Sequence, residues 1–181
     1  MKNIKFLILF IAIALISCER DDICAETTQT TARLVIEFYD VDNPTELKNV
    51  PRLTVYGEGL LDEAPENFSN ETLIFNDNKN KVELPLLIGP EGDLITTRFI
   101  LERDTNLRLD TDTPETSNVD IIEITYNTEF IYVSRACGYK SHFNNIGVVV
   151  DPDDSETWIS NIETLETTVE NEFTTHVRIL H

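Results

Sequence analysis

Apolar and polar residues alternate with a period of two in several segments after residue 31. In the first such segment, 32–39, Leu34, Ile36 and Phe38 share one face and polar side chains dominate the other. Because successive side chains of a strand point to opposite faces, this pattern predicts a half-buried β-strand. The predicted strands are 32–39, 53–56, 72–75, 81–84, 94–102, 119–126, 129–134, 165–169 and 173–180.

Short polar segments between these strands predict two hairpins. The five residues 76–80 would connect strand 72–75 to strand 81–84. Asn127 and Thr128 would form a tight turn between 119–126 and 129–134, and this second hairpin is expected at the centre of a sheet.

Two later segments lack a strand pattern. Residues 138–145 are predicted to be irregular. The spacing of Trp158, Ile159, Ile162 and Leu165 predicts a helical turn that runs into a strand. The chain shows no βαβ alternation, so its fold class is predicted to be all-β: an antiparallel β-sandwich or open barrel of about eight strands with at most one short helix.

The first 18 residues follow a different pattern. Lys2 and Lys5 precede the uncharged run 6–16, and Ser17 and Cys18 follow it. This arrangement predicts a lipoprotein signal peptide at 1–17 and lipidation of Cys18. The apolar run is shorter than the ~20 residues that span a bilayer. Two or three acyl chains, at ~0.8 kcal/mol per buried CH₂, would anchor the protein stably in the membrane.

The predicted anchor divides the chain into a signal peptide at 1–17, a lipidated tether and extended linker at 18–31, and a β-sandwich domain at 32–181. Residues 19–22 are mostly acidic and resemble the tract that directs many lipoproteins of the Bacteroidota to the outer face of the outer membrane. This resemblance implies a location in the outer membrane, on either its cell-surface or its periplasmic face. The formal charge of −19 becomes −21 when Lys2 and Lys5 leave with the signal peptide. This charge disfavours nucleic acid and acidic lipid head groups as partners.

Lipidation of Cys18 leaves two other cysteines, Cys24 and Cys137. An exported protein occupies an oxidising compartment, so these two are predicted to form a disulfide. It would close a loop of more than a hundred residues, for which chain entropy gives roughly 4–5 kcal/mol as an upper figure. The alternative is that Cys137 is a nucleophile assisted by His142 or His176.

One acidic turn has the composition of a weak calcium site. Asp151, Asp153, Asp154 and Glu156 offer carboxylates within six residues, and Ca²⁺ prefers several oxygen ligands from one loop. The turn lacks the glycine and the spaced acidic residue of an EF-hand loop, so an acidic turn before a helix is the preferred interpretation. The histidines have no zinc-binding spacing. We therefore expect no metal, no cofactor and no catalytic residues.

Four stretches, at 18–24, 31–40, 132–140 and 176–179, resemble a family of uncharacterised lipoproteins from the Bacteroidota. The resemblance covers essentially the whole chain after the signal peptide, and its most specific motifs surround Cys24 and Cys137. It implies that these two cysteines pair.

The same resemblance implies a membrane-associated role. Members of the family are encoded beside an outer-membrane β-barrel protein, which makes such a barrel a possible partner. The expected function is that of a non-enzymatic accessory or binding protein of the cell envelope. The alternatives are a surface binding module for a cation, glycan or peptide and, less favoured, a hydrolase.

Overall fold

The computed structural model describes residues 23–25, 28, 30–112, 114–153 and 156–181. The predicted signal peptide, the lipidation of Cys18 and the calcium candidate Asp154 lie outside these residues. Within them the chain forms ten strands and one short helix. These are β1 Leu34–Tyr39, β2 Val50–Gly57, β3 Thr72–Lys79, β4 Lys81–Leu84, β5 Leu94–Arg103, α1 Thr105–Leu109, β6 Asn118–Ser134, β7 Gly138–Val150, β8 Asn161–Thr164, β9 Thr168–Val169 and β10 Val177–Leu180.

The strands form two sheets that pack face to face. Sheet A has the order β4-β1-β10-β8, and sheet B has the order β3-β2-β5-β6-β7-β9. Buried residues from both sheets form one hydrophobic core, in which Phe38 of sheet A and Tyr126 of sheet B are among the largest fully buried side chains. The all-β prediction is confirmed, and the two separate sheets identify the architecture as a sandwich.

Sheet A brings the two ends of the folded domain together. Strand β1 pairs with β10 in parallel, with Ile36 opposite Val177, and it pairs with β4 in antiparallel orientation on its other side. The predicted alternation in β1 is correct, because Leu34, Ile36 and Phe38 are all fully buried. Two strands from opposite ends of the domain therefore lie side by side in the middle of this sheet.

The predicted hairpin between β3 and β4 is wrong. Strand β3 pairs with β2 in sheet B, whereas β4 pairs with β1 in sheet A. The polar residues between them carry the chain from one sheet to the other. Periodicity located both strands, but it contains no information about their partners.

The predicted turn at Asn127 and Thr128 is also wrong, because β6 continues without a break through both residues. Asn127 lies between two neighbouring strands, opposite Leu94 of β5 and Asn144 of β7. Its side-chain amide also donates to the carbonyl of Gly92, at 3.0 Å. The partner of β6 is β7, which occupies the segment predicted to be irregular.

The only helical segment among the described residues is α1, in the connection between β5 and β6. The predicted helical turn at 158–165 is instead a loop followed by β8. The carboxylate of Asp120 accepts hydrogen bonds from the amides of Trp158, at 3.2 Å, and Ile159, at 2.8 Å, and so holds this loop across the sandwich. In the part of the chain that the structure describes, no helix combines the length and the apolar character needed to cross a membrane.

Candidate functional site

The hairpin of β6 and β7 extends beyond the rest of the sandwich. Strand β5 ends its pairing with β6 where Leu94 faces Asn127, while β6 and β7 remain paired as far as Ser134 and Gly138. We call residues 130–140 the distal hairpin. It projects because no strand of sheet B accompanies it on the β5 side.

The inner face of β6 changes from buried to exposed where the distal hairpin begins. Tyr126 and Thr128 are buried, but the next residues on the same face, Phe130 and Tyr132, are 39% and 56% exposed. Tyr139, 67% exposed, lies opposite Tyr132, and the two rings meet edge to face with centroids 5.4 Å apart. The distal hairpin therefore presents three aromatic rings on a face that is core elsewhere in the strand.

The edge of the distal hairpin that β7 forms is covered by residues of the predicted linker, 18–31. The amide of Ser141 donates to the hydroxyl of Thr31 at 2.9 Å, and the Thr28 hydroxyl lies 3.7 Å from the sulfur of Cys137. Cys24 and Cys137 form a disulfide, with Cα atoms 4.8 Å apart. This confirms the predicted pairing, and it fixes the start of the domain to the hairpin tip.

The rival hypothesis of a Cys137 nucleophile is wrong, because its sulfur is bonded to Cys24. His176 is also committed elsewhere: its Nδ1 accepts a hydrogen bond from the buried amide of Val35, at 3.0 Å. His142 lies on β7 opposite Glu129 of β6. None of these histidines is hydrogen-bonded to the cysteine sulfur.

A shallow cavity of about 510 Å³ lies beside the disulfide. Its lining includes Ile23, Thr28, Tyr132 and Arg135, of which Ile23 is 84% exposed. Arg135 and Lys140 are the only charged residues between 130 and 140, so this segment is positive in a chain with a net charge of −19. The cavity and its surroundings thus combine apolar, aromatic and cationic side chains.

A second surface is apolar and lies between the loop after β2 and the connection from β4 to β5. It contains a cavity of about 450 Å³ lined by Leu60, Leu86, Leu87, Thr97 and Phe99, among others. Leu60 and Leu87 are 61% and 63% exposed. We call this surface the leucine groove. Exposed apolar patches on a soluble domain commonly mark interaction sites.

The calcium candidates within the described residues do not form a metal site. The carboxylate of Asp151 pairs with the guanidinium of Arg98, which also contacts Glu58 at 2.9 Å. The other oxygen of Asp151 accepts the amide of Asp153 at 3.1 Å. The backbone carbonyl of Glu156 accepts a hydrogen bond from Asn118. Among the described residues, no three His, Cys, Asp or Glu side chains are grouped so that they could hold a metal ion.

A buried carboxylate organises the loops at the opposite end of the sandwich. Glu102, 1% exposed, accepts hydrogen bonds from Arg108 at 2.6 and 2.9 Å and from the Ser117 hydroxyl at 2.5 Å. Arg108 also donates to the carbonyl of Pro65 at 2.8 Å. Hydrogen bonding to Glu102 raises the pKa of Arg108. Burial, with the charge of Glu102 as a second cause, raises the pKa of Tyr56.

Two buried histidines are held neutral by their surroundings. Burial lowers the pKa of His176, and it also lowers the pKa of His181. The ring of His181 packs edge to face against Trp158, with centroids 5.6 Å apart. Both histidines pack against neighbouring side chains beside sheet A and form hydrogen bonds with backbone groups.

Sequence reasoning missed both exposed surfaces. Phe130 and Tyr132 belong to the continuous apolar run 130–133, which is typical of a buried strand, and the end of β5 at Leu94 explains their exposure. Leu60 and Leu87 fall in connections without periodicity. The tyrosines do not form a single exposed surface, since Tyr56 and Tyr126 are buried whereas Tyr132 and Tyr139 are exposed.

Comparison with known proteins gives one match. The model of a family of unknown function, DUF6452, matches residues 52–181. It therefore covers β3 to β10 and Cys137, and its match begins after Cys24. No curated protein and no solved structure matches the chain.

Proposed function

We propose that this chain, which belongs to the DUF6452 family of unknown function, is a lipid-anchored accessory protein of the bacterial outer membrane. It binds another protein of the cell envelope, an outer-membrane β-barrel protein being the favoured partner, and it is not an enzyme. The anchor is a diacylglycerol on Cys18. We also propose that the protein comes from a member of the Bacteroidota and is one of their lipoproteins.

The observation that carries the proposal is the disulfide at the start of the domain. Cys24 follows Cys18 by six residues and is bonded to Cys137 at the tip of the distal hairpin. An extended chain covers at most about 3.6 Å per residue, so the lipidated residue would lie within roughly 22 Å of Cys24. A domain tied this closely to its anchor is suited to work at the membrane surface.

The leucine groove supplies a surface for the partner. Leu60 and Leu87 expose most of their side chains, and the groove is larger than the space that a single side chain fills. An apolar surface of this kind is stabilised when a partner removes it from water, at about 25 cal/mol per Å².

A non-enzymatic role agrees with the environment of the buried ionisable groups. Glu102 is bound by an arginine and a serine, Asp120 by two backbone amides, and His176 by a third amide. These bonds connect loops and strands of the sandwich. Each group therefore has a structural role that accounts for its burial.

The test is a mild-detergent pull-down of the full-length protein from native membranes, followed by mass spectrometry. We expect one outer-membrane barrel protein in stoichiometric amount, and its loss with Cys18→Ala. The double variant Leu60→Asp/Leu87→Asp should lose the partner while remaining in the membrane. Leu47→Asp changes a leucine that is 50% exposed on another surface and should retain it.

The proposal is overturned if Cys18 carries no lipid, or if the lipidated protein captures no envelope protein under crosslinking. The alternative function is a surface binding module, and the apolar lining of the leucine groove favours a peptide ligand over a cation or a glycan. A melting temperature that rises with added apolar peptide, but not with Ca²⁺ or oligosaccharide, would support that alternative.

A further inference from the structure

We propose that the distal hairpin docks on the phospholipid surface, with the rings of Tyr132 and Tyr139 at the level of the head groups and Arg135 beside a lipid phosphate. The ligand is the interface of the bilayer itself. This inference rests on the proposed lipid anchor at Cys18 and extends it, because it assigns a second, non-covalent contact with the membrane.

The first observation is the exposure of a face built like a core. Phe130 and Tyr132 continue the inner row of β6 past Thr128, where sheet B loses the neighbouring strand β5. Tyr139 completes the surface from β7, with its ring against that of Tyr132. Tyrosine has an apolar ring and a polar hydroxyl, and it is enriched where hydrocarbon meets water in membranes.

The second observation is the distribution of charge. The distal hairpin contains Arg135 and Lys140 and no acidic residue, although the chain has 33 acidic and 14 basic residues. Two carboxylates beside the hairpin, those of Glu91 and Glu129, lie at its base. Glu91 accepts the amide of Phe130 at 3.3 Å, and Glu129 accepts the side-chain amide of Asn144 at 2.8 Å.

The charge of the hairpin is opposite in sign to the net charge of the whole chain. A strongly acidic body is repelled by lipid phosphates, whereas the exposed cation of Arg135 is attracted to them. The tether itself includes Glu19, Asp21 and Asp22. The tyrosine rings rather than net charge should therefore dominate the contact, and the hairpin should dock on largely zwitterionic lipid.

The third observation is the position of the anchor. The disulfide places Cys24 at the hairpin tip, and the six residues from Cys18 reach roughly 22 Å at most. Strand β6 has 17 residues and rises about 3.3 Å per residue, so its opposite end is roughly 50 Å from the tip. Of the two ends of the sandwich, the distal hairpin is the one that the anchor holds at the bilayer.

The experiment places the photo-crosslinker p-benzoylphenylalanine at position 132 of the full-length lipidated protein. The protein is reconstituted in vesicles of phosphatidylethanolamine and phosphatidylglycerol at a ratio of about three to one and irradiated. The matched control has the same crosslinker at Val119, an exposed position at the other end of the same strand. We expect a lipid adduct at 132 at least tenfold more abundant than at 119.

Two further measurements test the inference, one on a variant of Arg135 and one in native membranes. Arg135→Gln in the crosslinker protein should lower the lipid adduct about fivefold, the effect of one cation near a membrane surface. Equal adduct at 132 and 119 would overturn the inference, and so would crosslinking of position 132 to a protein instead of lipid in native membranes. Melting curves and an intact disulfide verify that each variant is folded.

The failure of this inference can be distinguished from the failure of the proposed function. Mass spectrometry of the purified protein first establishes whether Cys18 carries diacylglycerol. A protein without lipid would overturn the proposed function together with this inference. A lipidated protein that gives no lipid adduct at position 132 would overturn the docking of the hairpin and leave the anchor standing.

Discussion

Removal of the disulfide is expected to destabilise the folded domain strongly. In the double variant Cys24→Ser/Cys137→Ser the folded chain loses one covalent link, but its strands and core keep their packing. The unfolded chain changes more, because the link closes a loop with a sequence separation of 113 residues. The chain-entropy relation gives roughly 5 kcal/mol at 25 °C for a loop of this length.

The expected loss is about 3–5 kcal/mol, because measured values often fall below the entropic figure. Domains commonly have unfolding free energies of 5–15 kcal/mol, so the variant should remain folded but marginal. With a urea dependence of about 2 kcal/mol per molar, the midpoint should fall by roughly 1.5–2.5 M.

Trp158 provides the signal for this assay. It is the only tryptophan of the chain, it is 6% exposed, and its ring lies 6.2 Å from that of Phe38 in the core. Its fluorescence therefore reports loss of packing between the two sheets. The parent protein treated with a reductant should unfold at the same urea concentration as the untreated double variant.

The control is the double variant itself with the reductant added, which should not move its midpoint further. A midpoint shift below about 0.5 M would refute the reasoning, since it would mean that the link restricts the unfolded chain very little. A reduced parent that differs clearly from the double variant would point to the serine side chains as the cause, not the lost bond.

Three other predictions concern the buried polar groups. Asp120→Asn should lower the unfolding free energy by about 2–3 kcal/mol, because an amide nitrogen faces a backbone donor of the 158–159 loop; urea unfolding measures this. Glu102→Gln should cost about 2–4 kcal/mol, because it leaves a partly buried arginine without its counter-charge; thermal melting measures this. His176 and His181 have lowered pKa values, so the unfolded chain binds protons that the folded chain does not. Their contribution to stability is complete above about pH 6.5 and is lost as the pH falls below it, by at most ~1.4 kcal/mol per histidine per pH unit.

Each of these has its own check. Asp112→Asn, in an exposed turn, should leave stability within about 0.5 kcal/mol of the parent, and an equal loss in both aspartate variants would contradict the role given to Asp120. A Glu102→Gln protein that melts like the parent would show that the ion pair is not stabilising. For the histidines, His176→Asn should remove about half of the pH dependence, and stability that is flat between pH 7.5 and 5.5 would contradict the argument.

The sequence predicted the strands far better than it predicted their partners. The period of two located β1 and β5, since it marks the row of buried residues that includes Leu34, Ile36 and Phe38, although Val35 on the other face of β1 is buried too. It could not distinguish a hairpin from a crossover at 76–80, since polar residues suit both. The polar pair Asn127 and Thr128 predicts a turn although neither residue is glycine, and the structure has a continuous strand there because Asn127 has neighbours on both sides.

Of the candidate site, only the disulfide was predictable from the sequence. The pairing of Cys24 with Cys137 followed from the number of cysteines and the expected compartment. The exposed distal hairpin was not predictable, because Phe130, Ile131, Tyr132 and Val133 form an unbroken apolar run of the kind found in buried strands. Their exposure depends on where β5 ends, which is a property of the whole sheet. The same limit applies to the segment that begins at Trp158. The spacing of its apolar residues is typical of a helix, but a hydrogen bond to a carboxylate distant in the sequence holds its backbone in a loop.

The parallel pairing of β1 and β10 also sets the order in which the protein can be completed as it is made. The amide of Val35 donates a hydrogen bond to His176, which is synthesised 141 residues later. At a synthesis rate of about 5–20 residues per second, that interval is roughly 7 to 30 seconds. Until then β1 has β4 as its partner, and β8 has no neighbour in sheet A. The four residues of β10 join these halves, so sheet A is complete only when residues 177–180 pair between β1 and β8.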